Sequence, residues 1–155
     1  MAGEHTMSLS LEGVEELVQS LESLSKKYPD RAGELLQKNA KALRKEVVKN
    51  VKAETEPRKP KKNGGTPKKQ LHKISSYAIS PIQGYGANQF VEVSAKSPHF
   101  HLVEHGHVLK SRSGNTIGFV QGKHMMDNAI KKAENEMPDT LEEMVTQLLK
   151  EEGFL

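Results

Sequence analysis

Ala32, Leu35, Leu36, Ala40, Leu43, Val47 and Val51 recur in steps of three and four. That spacing returns each side chain to one face of an α-helix, so the chain is bound to build an amphipathic helix here. At 1.5 Å per residue, a helix over 30–53 is on the order of 35 Å long. Such a stripe needs cover of similar length, and this requirement constrains the fold more than any other feature. The opposite face carries Lys38, Lys41, Arg44, Lys45 and Lys49. It reads as a solvated face, or as a surface turned to an acidic partner or nucleic acid.

Two further stripes can supply cover. Leu11, Val14, Leu17, Val18, Leu21 and Leu24 predict a first helix that ends at Tyr28-Pro29-Asp30. Proline disfavours helix in the residue before it, and Asp30 is suited to cap the next helix. Met126, Ala129, Ile130, Ala133 and Met137 predict a last helix, continued in phase by Leu141, Met144, Val145 and Leu148. Pro138 predicts a kink or a restart within it. The methionines there read as gap-filling core.

Between the helices the pattern changes. Residues 54–70 hold prolines, glycines and the basic side chains Arg58, Lys59, Lys61, Lys62, Lys68 and Lys69, with no apolar residue. A segment of that kind buries too little to order itself, so a mobile loop within the domain is expected. Its basic residues are candidates for phosphate or acidic-partner contacts. No aromatic side chain is interleaved for stacking on bases. Leu71, Ile74 and Ala78 suggest a short helical turn. Residues 77–82 and 88–95 then flank a Gly84-Tyr85-Gly86 turn and predict an antiparallel hairpin. In its second arm Val91, Val93 and Ala95 share one face, and Phe90, Glu92 and Ser94 the other. A loop is expected over 109–116 and a short strand over 117–120. The fold class is α+β: a small antiparallel sheet packed against a long N-terminal helix and a C-terminal helix, with a mobile basic loop. One domain is expected over 7–155, with a short strand at 7–11 and a disordered start at 1–6.

Composition narrows the function. Hydrophobic residues are 35% and aromatic residues 5% of the 155, with no Trp. That is thin material for a core, and it suits a chain that completes its burial against copies of itself or a partner. Cysteine is absent, which excludes a disulfide framework, a thiol nucleophile and Cys-ligated zinc. No apolar run approaches the roughly 20 residues that span a bilayer. The first residues lack a basic region followed by an apolar one, so no secretory signal is expected. The net charge of +3 is small for a nucleic-acid binder, but the basic residues crowd between Lys38 and Lys73.

Chemistry-bearing residues concentrate in two stretches. Pro98-His99-Phe100-His101-Leu102-Val103-Glu104-His105-Gly106-His107 holds four of the seven histidines. Within it, His101, Glu104 and His105 match H-x-x-E-H, in which two histidines at i and i+4 hold zinc and the glutamate acts as base. Gly106 would end such a helix after about one turn, and a third protein ligand must come from elsewhere. The competing reading is a structured turn, with Phe100, Leu102 and Val103 inward and the histidines at the rim. The second stretch is Gly118-Phe119-Val120-Gln121-Gly122-Lys123-His124-Met125-Met126, which opens the last helix. No Walker A loop, G-x-S-x-G or G-x-G-x-x-G is present.

The order of elements and these two stretches resemble the tail-completion, or head–tail joining, proteins of long-tailed bacteriophages and prophages. In that family a Val-Glu-x-Gly-Thr/His element follows a strand, matched here by Val103, Glu104, Gly106 and His107. A Gly-Phe-Val-x-Gly-Lys/Arg-x-Met element opens the C-terminal helix, matched by Gly118, Phe119, Val120, Gly122, Lys123 and Met125. The resemblance covers about 7–149. It departs in the loop after the long helix, where the family's Pro-x-x-Thr-Gly-x-Leu pattern is replaced by an expanded basic segment.

The resemblance implies a structural, non-catalytic protein without a cofactor. It implies a ring of copies that joins the tail tube protein to the head connector or head-completion protein, with non-specific contact to phage DNA and none to membrane. The protein would be made in the bacterial host cytoplasm and reside in the virion at the tail–head junction. Phe100, Val103, Glu104, Gly106, His107, Phe119, Val120, Gly122, Lys123 and His124 would form its structural and interface motif. Glu104 and Gly106 would shape the turn, Phe119 and Val120 would be core or interface, and Lys123 and His124 would begin the helix. The alternatives are a nucleic-acid-binding accessory protein working through 58–73, and a zinc hydrolase built on His101, Glu104 and His105.

Overall fold

The computed structural model describes residues 14–56 and 71–155. The expectations for 1–6 and 7–11, and for the basic loop with Arg58, Lys59, Lys61, Lys62, Lys68 and Lys69, lie outside the described residues. The chain is α+β. Helix α1 (Val14–Glu54) is followed by a short 3₁₀ turn (Ile74–Ser76), strands β1 (Tyr77–Ile79) and β2 (Val93–Ala95), and helix α2 (Phe100–His105). Strands β3 (Gly106–Lys110) and β4 (Thr116–Gln121) come next, and helix α3 (Met125–Glu151) closes the series.

The expected break at Pro29 does not occur. α1 runs unbroken for 41 residues with Pro29 inside it, about 60 Å at 1.5 Å per residue. Proline removes the amide that would bond the Ser25 carbonyl, at a cost of about 3 kcal/mol in a helix interior. Two features offset this. Ser25 is exposed, so water can reach its carbonyl. On either side of Pro29, Lys27 pairs with Glu152 and Arg31 with Glu151, the latter at 3.2 Å, so both halves of α1 are tied to the end of α3. Asp30 is an exposed interior residue rather than a cap. Pro138 likewise sits inside a continuous α3 of 27 residues instead of restarting it.

The two long helices pack in antiparallel order and cover their stripes only in part, since Ile130, Met137, Leu141 and Val145 stay exposed. Lys27 meets Glu152, Glu46 meets Lys132 at 3.2 Å, and the Asn50 side chain donates to the Met125 carbonyl at 3.0 Å. Glu46 sits below the usual carboxylate range. Desolvation pushes it up, but hydrogen bonds and charge from Lys132 and Lys49 outweigh that.

The central cluster comprises Val47, Val48, Val51, Tyr77, Phe100, Met125 and Ala129, with Leu43, Leu71, Ala95, Val103 and Met126 against it. It therefore lies where the C-terminal part of α1 meets β1, α2 and the start of α3. Tyr77 and Phe100 pack edge to face, ring centres 5.8 Å apart at 88°.

The sheet is two separate ribbons. β1 and β2 pair antiparallel with Tyr77 opposite Ala95 and Ile79 opposite Val93, and a bridge between Gln83 and Phe90 extends the hairpin. Val91, Val93 and Ala95 are half-buried, while Phe90, Glu92 and Ser94 are exposed, as the alternation requires. Ala78 lies in β1 rather than in a helical turn, because pairing with Ser94 supplies the bonds that a single turn cannot. The second ribbon, β3 with β4, pairs Val108 with Phe119 and His107 with Val120. Part of it differs from expectation: residues 106–110 form a strand where a turn and the start of a loop were expected. The cause is long-range pairing to β4, which local pattern does not encode.

Candidate functional site

The two stretches dense in chemistry meet in one knot at the head of α3. α2 is a single helical turn and a half, and it buries Phe100 and Glu104. Glu104 is 2% exposed, and its carboxylate faces the first turn of α3. Met125 N–H donates to Oε2, and the Met126 and Asp127 N–H groups both donate to Oε1, each at 2.9 Å. These amides have no partner within the helix, and the positive end of the helix dipole favours an anion at that place. One buried carboxylate thus caps α3 from outside, and three charge-assisted bonds offset its desolvation.

The backbone continues the knot. Lys123 N–H donates to the Val103 carbonyl at 2.9 Å and His124 N–H to the Glu104 carbonyl at 3.1 Å. The strands leave α2 and enter α3 side by side, and only glycine fits both crossing points. Gly106 has φ +81°, and a Cβ there would lie 2.3 Å from the Val120 carbonyl oxygen. A Cβ on Gly122 would lie 2.3 Å from the Glu104 carbonyl oxygen and 2.9 Å from the Gly106 nitrogen. The first is a conformational and a steric demand together, and the second is a close approach of backbones.

The remaining sequence-derived residues fall around this knot. Val103 is half-buried. His107 is half-buried, with Nδ1 3.3 Å from the Leu102 carbonyl oxygen. Lys123 is exposed and pairs with Glu54 at 3.7 Å. His124 precedes α3 as its N-cap residue, in the left-handed region at φ 49°. Phe119 and Val120 lie outside the core, 63% and 38% exposed, on the projecting ribbon.

The H-x-x-E-H residues do not converge. Glu104 has both oxygens engaged by α3, His101 is exposed, and Gly106 ends the helix directly after His105. Instead, His105, His124 and Asp127 bring ligand atoms within 4.8 Å of one another, the one such group of three among the described residues. Sequence reasoning missed Asp127. Its available signal was its place in the first turn of the last helix, three residues after His124.

No described helix is long and apolar enough to cross a membrane. A family model described as "Bacteriophage HK97-gp10, putative tail-component" matches residues 15–106, more than half of the chain. The matched region ends at Gly106, so it takes in Glu104 and stops short of the residues that Glu104 caps. No curated protein and no solved structure matches significantly.

Proposed function

We propose, on the premise that the chain belongs to the HK97 gp10-like family of bacteriophage tail components, that it completes the tail by joining the tail tube to the head connector or head-completion protein. It acts as a ring of copies at the tail–head junction of the virion, after synthesis in the bacterial host cytoplasm. Its role is structural and not catalytic. The working unit is a single domain over 7–155.

The observation that carries this reading is the β3–β4 ribbon. The cross-strand pair Val108 and Phe119 is 49% and 63% exposed, and Ile117, unpaired where the register shifts, is 67% exposed. Leu109 and Val120 are exposed on the other face. A two-stranded ribbon with apolar side chains on both faces is marginal alone and calls for cover by another subunit. The first turns of α1 present Leu17, Val18 and Leu21 in the same state. This fits a protein whose core is thin because part of its burial occurs on assembly.

Non-specific contact with phage DNA finds support on α1. Lys38, Lys41 and Lys45 line one open groove, with Asp30 and Glu34 at the same groove, and none of the three lysines has an ion-pair partner among the described residues. Such contact would weaken steeply with salt.

The direct test is deletion of the gene from its phage or prophage, followed by electron microscopy of the lysate. Filled heads and separate tails, restored to whole particles by the wild-type gene, are expected. Intact particles in the deletion lysate would overturn the joining role.

A further inference from the structure

We propose that His105, His124 and Asp127 form a binding site for one divalent transition-metal ion of borderline softness, Zn²⁺ in the first instance, at the root of the β3–β4 ribbon. Two imidazoles and one carboxylate form a donor set suited to zinc, with a fourth position left open for water or a neighbouring group. The His124 Nδ1 and Asp127 Oδ2 atoms are already 3.1 Å apart. That is close to the roughly 3.3 Å between neighbouring ligands when metal–ligand bonds are about 2.0–2.1 Å in a tetrahedron. The His105 and His124 rings face each other edge-on, centres 6.4 Å apart at 68°. All three ligand atoms fall within 4.8 Å, and the two histidines are exposed, so a small side-chain rotation closes the set.

The backbone of this group is fixed in advance by one residue. His105 directly follows Glu104. His124 N–H donates to the Glu104 carbonyl, and Asp127 N–H donates to the Glu104 Oε1. The three ligands therefore move as a unit, which lowers the ordering cost of binding.

Two further features fit. His124 is the one non-glycine with positive φ among the described residues. A histidine there, where Asn, Asp or Gly is usual, caps no helix amide with its own side chain, because Glu104 does that work. Its imidazole instead meets Asp127 Oδ2 and faces the His105 ring. The Glu104 carboxylate also offsets the positive end of α3, which would otherwise repel a cation placed beside it. The bound ion would pin the ribbon root to the head of α3.

The test is titration of the purified full-length chain with ZnCl₂, followed by calorimetry and by thermal unfolding. One zinc per chain and a higher melting temperature with zinc are expected. His105→Ala, His124→Asn and Asp127→Asn should each weaken binding about tenfold or more, since loss of even an outer-shell partner of a metal ligand costs that much. Asn at 124 accepts the left-handed backbone, so that variant keeps its fold. His99→Ala and His101→Ala should bind zinc as the parent does. With Co²⁺ in place of zinc, the visible absorption of a low-symmetry site should appear, and it should be absent in His105→Ala. No saturable uptake at millimolar zinc, or uptake unchanged in a His105→Ala, His124→Asn double variant, would overturn the proposal. So would uptake lost on His101→Ala.

Discussion

The Glu104 carboxylate reaches across 21 residues of sequence to accept the Met125 amide at 2.9 Å inside the core. It also accepts the next two amides of α3. Glu104→Ala would leave three helix amides without an acceptor and open a cavity, at a cost of about 3 kcal/mol or more. Glu104→Gln keeps the shape but replaces one acceptor oxygen with a donor facing amides, and about 2 kcal/mol is expected. Urea unfolding monitored by circular dichroism measures both. Losses below about 0.5 kcal/mol would mean that the cap is not formed in solution.

The two crossing glycines differ from a third at the ribbon tip. Gly106→Ala and Gly122→Ala each place a Cβ 2.3 Å from a backbone oxygen. Relief requires the ribbon root to part from α2, so losses on the order of 3 kcal/mol or more are expected. Gly114 has φ +86° but open space around it. Gly114→Ala should cost only the conformational strain, about 1–2 kcal/mol. Equal losses at all three positions, by the same unfolding measurement, would contradict the close approach.

Tyr77 is held neutral far into alkali. Burial, and then the Glu104 charge, pushes its phenol up to about 12 from an ordinary value of 10.0. The folded chain therefore keeps this proton where the unfolded chain releases it. The resulting stability is complete below pH 10 and falls away as pH rises from about 10 to about 12. Of the three tyrosines, the last phase of an ultraviolet phenolate titration should belong to Tyr77 and vanish in Tyr77→Phe. The Tyr77 hydroxyl is buried with no hydrogen-bond partner among the described residues. Tyr77→Phe should therefore leave stability at neutral pH unchanged or raise it by up to about 1 kcal/mol.

Pro29 stands inside α1 and not between two helices. Pro29→Ala restores an amide for the Ser25 carbonyl and should stabilise the chain by roughly 1–3 kcal/mol. If the helix were broken there, the same substitution would bring no gain, so thermal unfolding separates the two arrangements.

The legible and illegible parts of this fold have distinct physical origins. Periodicity placed the α1 and α3 stripes and the alternation from Phe90 to Ala95, because each is set by local geometry. It failed at Pro29, where the local penalty is real but pairing between the two helices outweighs it. It also failed at 106–110, where strand structure comes from partners on β4. Within the knot, Gly106 was legible as a backbone requirement. Glu104 was legible as important but not as a cap, because its acceptor role depends on amides 21 to 23 residues away. Gly122 carries no local sign that its missing side chain makes room for the Glu104 carbonyl.

The proposed joining role rests most directly on the exposed ribbon. The decisive measurement is complementation of the deletion phage with an Ile117→Asp, Phe119→Asp double variant, read by electron microscopy beside urea unfolding of the purified chain. Both side chains are mostly solvent-exposed in the single chain. The variant should therefore unfold within about 0.5 kcal/mol of the parent, yet yield filled heads and free tails. Whole, infectious particles from a variant of unchanged stability would contradict the claim that this ribbon is covered at the head–tail junction.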